Sequence, residues 1–365
     1  MMKKLLSLLL CAVFALMLAL PADAAEQSPY ISEAEAIIAY KAAESGAKST
    51  DEWISSLSKT AGAGAEWYVI ALSRLGYGGF DEYSQALAEH LSENKLYGTN
   101  AQRCALGFIA AGCGSSYIDY AAENTIGEQG IMSYIWGLML LSCGVESTKF
   151  SPDGLAEKIV SLRLGDGGFA ISGNSSNVDV TAMAITALAP YRENEAVSEA
   201  IESSLAFLSS AQTENGGYIS YGAENCESAA QVIIALCSLG IDPQTDERFI
   251  KNGNTVLDSM RSFVTAEGGY SHIRGGAESE MATAQALHAF TSMHLLESGD
   301  ALFSFEKPES TPEGFRDVEL GKGSDKSADG QSMDIKKTVC IAIIAACAVG
   351  IAVVALLPKK KKKSF

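Results

Sequence analysis

Three carboxylates, at matching places in three copies of one pattern, are where this sequence could do chemistry. Each copy opens with Gly-Gly and an aromatic ring, at Phe169, Tyr218 and Tyr270, and a weaker copy ends at Phe80. Ten or so residues on stands Asp179, Glu227 or Glu278, followed by an apolar segment. The glycines permit the positive φ of a tight turn, and the ring can plug the gap between neighbouring units. A carboxylate just ahead of an apolar segment belongs at a helix N-terminus, where it caps free N–H groups and meets the positive end of the helix dipole.

The elements that must position these groups are helices of two kinds. Amphipathic, charged segments cover 32–45, 81–95, 152–164, 195–211 and 245–264, with a poorer one at 115–123. Segments apolar nearly all round cover 65–75, 100–111, 130–143, 180–191, 228–239 and 279–296. A charged face suits an outer helix and all-round apolarity a buried inner one. Ser32 and Glu35 read as a capping box, and Ser151-Pro152 as an N-cap with proline at the first helical position. Gly46, Gly76, Gly112, Gly144 and Gly240 follow helix ends. Alternating strand patterns are absent.

Six helices of each kind make a closed double ring, an all-α (α/α)6 toroid in which each helix pair buries its apolar face against its neighbours. The N-termini of the inner helices then gather at one mouth. Asp179, Glu227 and Glu278 should ring it with Phe169, Tyr218, Tyr221 and Tyr270, while Trp67, Tyr68, Tyr134, Trp136 and Met183 line the bore.

The pattern resembles the terpenoid cyclase and protein prenyltransferase superfamily, through residues 28–300. Phe207-Leu208, Gln212, Gly216 and Tyr218 are similar to the squalene-cyclase repeat, with Tyr in place of its Trp. Within that superfamily the chain most resembles exported bacterial toroids carrying the prenyltransferase and squalene oxidase repeat. The resemblance implies the toroid, but not its activities. Squalene-type cyclases protonate their substrate from Asp-x-Asp-Asp-Thr-Ala; here Asp179 stands at the acid's place, and Asn177 and Val180 replace both flanking carboxylates. Prenyltransferases hold zinc with Asp-x-Cys and a later histidine. Glu224-Asn225-Cys226 is similar to the first element, but no histidine stands at the later position, so Glu224 and Cys226 are weak metal candidates and no cofactor is expected. Gly127-Glu128-Gln129 lacks the cysteine of a complement-type thioester site. The stretch 179–184 is similar to a segment of corrinoid-carrying toroids.

The ends of the chain read differently. Residues 1–24, with Lys3, Lys4, an apolar run and Ala22-Asp23-Ala24, have the form of a secretory signal peptide. Residues 338–357 carry no charge and are long enough to span a bilayer; Lys359 to Lys363 place their end on the cytoplasmic side. The expected organisation is signal peptide 1–24, toroid 25–303, disordered stalk 304–335, transmembrane helix 336–358 and basic tail 359–365. The ectodomain would be extracellular on a single-pass anchor in the cell membrane.

Taking the +1 of the leader and the +7 of the last thirty residues from the −17 of the whole leaves −25 on residues 25–335. Nucleic acid is therefore a poor partner. Cys104, Cys113, Cys143, Cys226 and Cys237 are odd in number and lie on apolar segments, which favours buried free thiols over a disulfide framework. With each enzyme class missing groups it needs, the expected function is binding of a small apolar ligand or a surface protein, without catalysis. The alternatives are a diverged cyclase using Asp179 as general acid and a corrinoid-binding toroid.

Overall fold

The computed structural model describes residues 28–321, which form thirteen α-helices and two minimal hairpins. The helices are α1 (Pro29–Glu44), α2 (Thr50–Ser56), α3 (Ala65–Arg74), α4 (Asp81–Glu93), α5 (Gly98–Ala110), α6 (Ser116–Asn124) and α7 (Ile131–Leu141). They continue with α8 (Pro152–Val160), α9 (Val178–Leu188), α10 (Glu195–Ala211), α11 (Cys226–Ser238), α12 (Val256–Arg261) and α13 (Glu280–Glu297). One hairpin pairs β1 (Ile219–Ser220) with β2 (Ala223–Glu224), the other β3 (Ile250–Lys251) with β4 (Asn254–Thr255).

The apolar helices α3, α5, α7, α9, α11 and α13 each pack on the next, and α13 returns to α3, so the inner ring is closed. The outer layer is α1 on α13, α6 on α5, α8 on α7, α10 on α9 and α12 on α11, with α4 against α5 through Tyr83 and Gly107. Burial follows this division. Every residue of α11 from Cys226 to Cys237 except Glu227 is buried, whereas α10 buries only one face.

Neighbouring repeats are locked by polar groups that the sequence motifs supply. Gln212 donates through Nε2 to the carbonyls of Gly216 (2.9 Å) and of Phe249 in the next repeat (2.8 Å). Arg163, at the glutamine position of the previous copy, instead reaches Ser203 and the carbonyl of Glu199 on α10. Thr181 and Thr283, each four residues past an N-cap, accept the backbone N–H groups of Phe169 and Tyr270, both at 2.9 Å. These bonds fasten the glycine turns to the inner helices.

Several elements depart from the expected ones. Helix α1 begins at Pro29 under a Ser28 cap, so Ser32 and Glu35 lie inside it and form no capping box. The outer helix expected over 245–264 is a 3-10 turn, a hairpin and the short α12, capped by a Thr255–Asp258 box. Helix α2 and the 3-10 turn Leu57–Thr60 form an additional outer element.

The stalk expected from residue 304 starts too early. Residues 300–320 form a strap across the C-terminal ends of α3, α5 and α7: Arg74 pairs with Asp300, the N–H of Lys307 meets the carbonyl of Cys143 at 2.7 Å, and that of Gly114 meets the carbonyl of Ser310 at 2.9 Å. Asp317 then caps α6 by accepting from the N–H of Ser116 at 2.8 Å. Leu302, Phe303, Phe305, Phe315 and Val318 pack in or on the core, so five apolar side chains set in a polar sequence fix this segment. Among the described residues no helix is long and apolar enough to cross a membrane. The leader, the apolar run 338–357 and the basic tail lie outside the described residues.

Candidate functional site

The mouth is built from the N-caps upward. Asn177 caps α9, Asn225 caps α11 and Ser279 caps α13, accepting from the N–H groups of Val180 (3.0 Å), Ser228 (2.8 Å) and Ala282 (3.3 Å). The side chain two residues past each cap, and the one four beyond that, stand in one column on the helix. On α9 these are Asp179 and Met183, the only residues of the helix not fully buried. On α11 they are Glu227 and Gln231, and on α13 Met281 and Gln285; Gln231 donates to Gln285 Oε1 at 3.1 Å across the two helices.

Asp179 therefore does not cap its helix, contrary to the sequence expectation; Asn177 has taken that role. Its Oδ2 accepts from the hydroxyl of Ser220 on β1 at 2.9 Å. Its Oδ1 is shielded from solvent, and the hydroxyl of Ser228 on α11 is the second donor beside the carboxylate. Glu227 Oε2 lies 2.9 Å from His272 Nδ1 in the loop entering α13, and the carbonyl of His272 accepts the N–H of Cys226 at 3.2 Å. Burial pushes the Asp179 carboxyl above the usual range, and the charge of Glu227 adds to it, against hydrogen bonds from Ser228 and Ser220. The hydrogen bond to Glu227 raises His272, burial opposes it, and the charges of Glu227 and Asp179 reinforce the rise. The group brings two carboxylates, an imidazole and two serine hydroxyls together at the inner-helix N-termini.

Glu278 does not join this pair. It precedes the Ser279 cap, accepts from Thr283 Oγ1 at 2.6 Å and lies against Tyr40 of the outer layer. Burial is the main cause that raises its carboxyl. Phe169, Tyr218 and Tyr270 are buried beneath the loops, plugging the gaps between repeats, and cannot ring a mouth; Tyr221 is exposed at the rim. Tyr68 packs edge-on against Trp53 of α2, and Tyr134 lies under the ammonium of Lys158 on α8, so both face the outer layer instead of the bore.

Trp67 and Trp136 do meet at the centre, edge to face with centroids 5.5 Å apart. His288 of α13 lies 5.5 Å from Trp67, and Phe303 of the strap contacts both Trp136 and His288. These four rings form one cluster between the inner helices and the strap. Arg103 sits over Trp67 at 5.7 Å and reaches the buried Glu66, which caps the chain at Gly62 and Gly64.

Glu224 is paired with Arg274, and the Cys226 thiol is fully buried with its pKa pushed well up by desolvation. Among the described residues no three His, Cys, Asp or Glu side chains come together to hold a metal. Cys104, Cys113, Cys143, Cys226 and Cys237 are all buried and unpaired. Sequence reasoning missed Ser220, His272 and Arg103 as site residues. His272, two positions past a buried repeat aromatic, carried the one local signal.

Fold and site together define an α/α toroid with a polar mouth and a bore filled by aromatic rings. No family model matches the sequence, and no curated protein matches it. Among solved structures the chain is similar to an unsaturated glucuronyl hydrolase from Bacillus sp. GL1, responsible for the degradation of glycosaminoglycan. The identity is 14%, the match covers 78% of this chain and 99% of that one, and the TM-score is 0.45. A likeness this distant transfers no activity.

Proposed function

We propose that this protein is a membrane-anchored, extracellular toroid that binds a ligand or a surface protein at the mouth of its inner ring, without catalysis of its own. The observation that carries this reading is the division of the bore. Trp67, Trp136, His288 and Phe303 cluster at the centre of the ring, which leaves the mouth, where Asp179, Glu227 and His272 stand together, as the face that can hold a ligand or partner. The anchoring rests on the leader and on the uncharged run 338–357 of the sequence.

A second reading has one observation in its favour. Asp179 is directed inward with its carboxyl raised above the usual range, as a general acid would be, which suits a diverged cyclase. Against it stands the filled bore, since alkene protonation requires an enclosed apolar chamber around the acid.

Native mass spectrometry of the protein recovered from its own source, wild type and Asp179→Asn, separates the two. The binding reading expects a retained mass that the variant loses and no isoprenoid turnover by either. Turnover of an isoprenoid that Asp179→Ala abolishes would sink it.

A further inference from the structure

Water reaches well into the inner ring from the mouth. Arg103, Met183, Gln231 and Gln285 each lie six positions past the N-cap of their helices α5, α9, α11 and α13, about 9 Å down the helix axis. Outer helices cover the far sides of these four helices, and His288, one turn further along α13 than Gln285, is fully buried. Arg103, Met183 and Gln285 are nonetheless partly exposed, so the mouth opens into a funnel of about that depth. Six helices packed about 9 Å from their neighbours put opposite axes about 18 Å apart, and their side chains leave about 8 Å between them, room for one small ring.

One wall of the funnel is a ladder of polar groups. His272 holds Glu227 through Nδ1, Glu227 stands one turn above Gln231, and Gln231 donates to Gln285 at 3.1 Å. Each rung keeps spare capacity: Nε2 of His272, Oε1 of Gln231 and the amide nitrogen of Gln285 have no hydrogen-bond partner among the described residues, and none is closed to water as the Oε1 atoms of Gln102 and Gln212 are. Trp67 of α3 and Met183 of α9, on the helices to either side, are partly exposed and apolar.

These groups choose among ligand chemistries. Arg103, the cation at this level, is already held by Glu66 and Asn100, and the Glu227 carboxylate disfavours an anion. An ammonium ion has donors only and leaves the amide N–H groups of Gln285 unmet; a hydrocarbon leaves every rung unmet. A hydroxyl donates and accepts at once, and neighbouring hydroxyls on one ring can meet an amide oxygen and an amide nitrogen together while the C–H faces of that ring lie on Trp67 and Met183. We infer that the funnel takes one residue of a neutral saccharide, held by Gln231, Gln285 and the Glu227–His272 pair. This rests on the mouth being the binding face.

The test uses the full chain in a detergent without a sugar headgroup, titrated in a calorimeter with cellotriose, maltotriose, triacetylchitotriose, trigalacturonate and trialanine. At least one neutral trisaccharide should bind with a Kd of about 1 mM or tighter. Gln285→Met, which keeps the reach of the side chain and removes its amide, should weaken that saccharide at least about tenfold at an unchanged urea midpoint. Gln231→Met repeats the measurement if the first variant unfolds more easily. Trigalacturonate should bind wild type at least about tenfold more weakly than the neutral sugar, and Glu227→Gln should narrow that gap. Saccharide binding that neither glutamine variant alters would overturn the inference, because the sugar would then sit elsewhere. Binding of trialanine alone, lost in Gln285→Met, would overturn the saccharide and keep the mouth as the binding face. Binding of no probe would also overturn the saccharide; a retained mass lost in Asp179→Asn would then still keep the mouth, and its absence would take the mouth down as well.

Discussion

His288 ties the stability of this ring to pH. It is fully buried on α13, its Nε2–H donates to the carbonyl of Trp67 at 2.6 Å, and its Nδ1 has no partner. Desolvation lowers its pKa from 6.5 to about 4. Above pH 6.5 the residue is neutral in both folded and unfolded chains and has no effect. As pH falls below 6.5 the unfolded chain takes up a proton that the folded ring refuses, so stability drops by about 1.4 kcal/mol per pH step until about pH 4. The full loss is about 3 kcal/mol, a large part of a typical domain's margin. Other groups oppose it: His272, raised by Glu227, stabilises the fold below pH 6.5 and loses that contribution as pH rises through its folded value. Asp179 and Glu278, raised mainly by burial, destabilise the ionised ring, and that strain is relieved as pH falls. Subtraction isolates His288. In urea unfolding at pH 7.5 and 4.5, His288→Gln, which can still donate to Trp67, should lose about 2 to 3 kcal/mol less than wild type across that interval. Equal losses in the two proteins would refute the reasoning, because the buried imidazole would then not be the group excluding the proton.

Other perturbations probe the repeat and the strap. Gly216 has φ +78°, and a Cβ there would meet the carbonyl oxygen of Thr255 at 2.3 Å, whereas Gly173 at φ +76° faces open space. Gly216→Ala should cost about 3 kcal/mol and Gly173→Ala about 1 kcal/mol in the same unfolding assay; equal costs would remove close approach as the reason for the motif glycine. Gln212→Ala strands two carbonyl acceptors and should lower stability by about 2 kcal/mol. Phe303→Ala empties the lower bore beside Trp136 and His288 and should cost about 2 to 3 kcal/mol, with faster proteolysis within residues 300–320. An unchanged cleavage rate would show that the strap is held without that ring.

The double ring was legible because each helix declares its layer locally. The all-round apolarity of 131–141 or 226–237 leaves no solvent face, and the glycines after the helix ends adopt the positive φ that the sequence expects. The repeat also revealed Asp179 and Glu227, each two positions past an asparagine cap. Glu278 broke that register, for Ser279 caps α13 one position later and Met281 takes the corresponding place. The strap escaped because Lys, Glu, Ser and Pro dominate its composition, while what fixes it is five apolar anchors that meet partners far away in the chain. Periodicity and caps are properties of a few consecutive residues, so the sequence alone determined the six inner helices, most of the outer ones and the closed ring. Which aromatic rings meet at the centre, and that Ser220 and His272 come to stand around two carboxylates, depend on groups 40 or more positions apart. Only the closing of the ring brings those together.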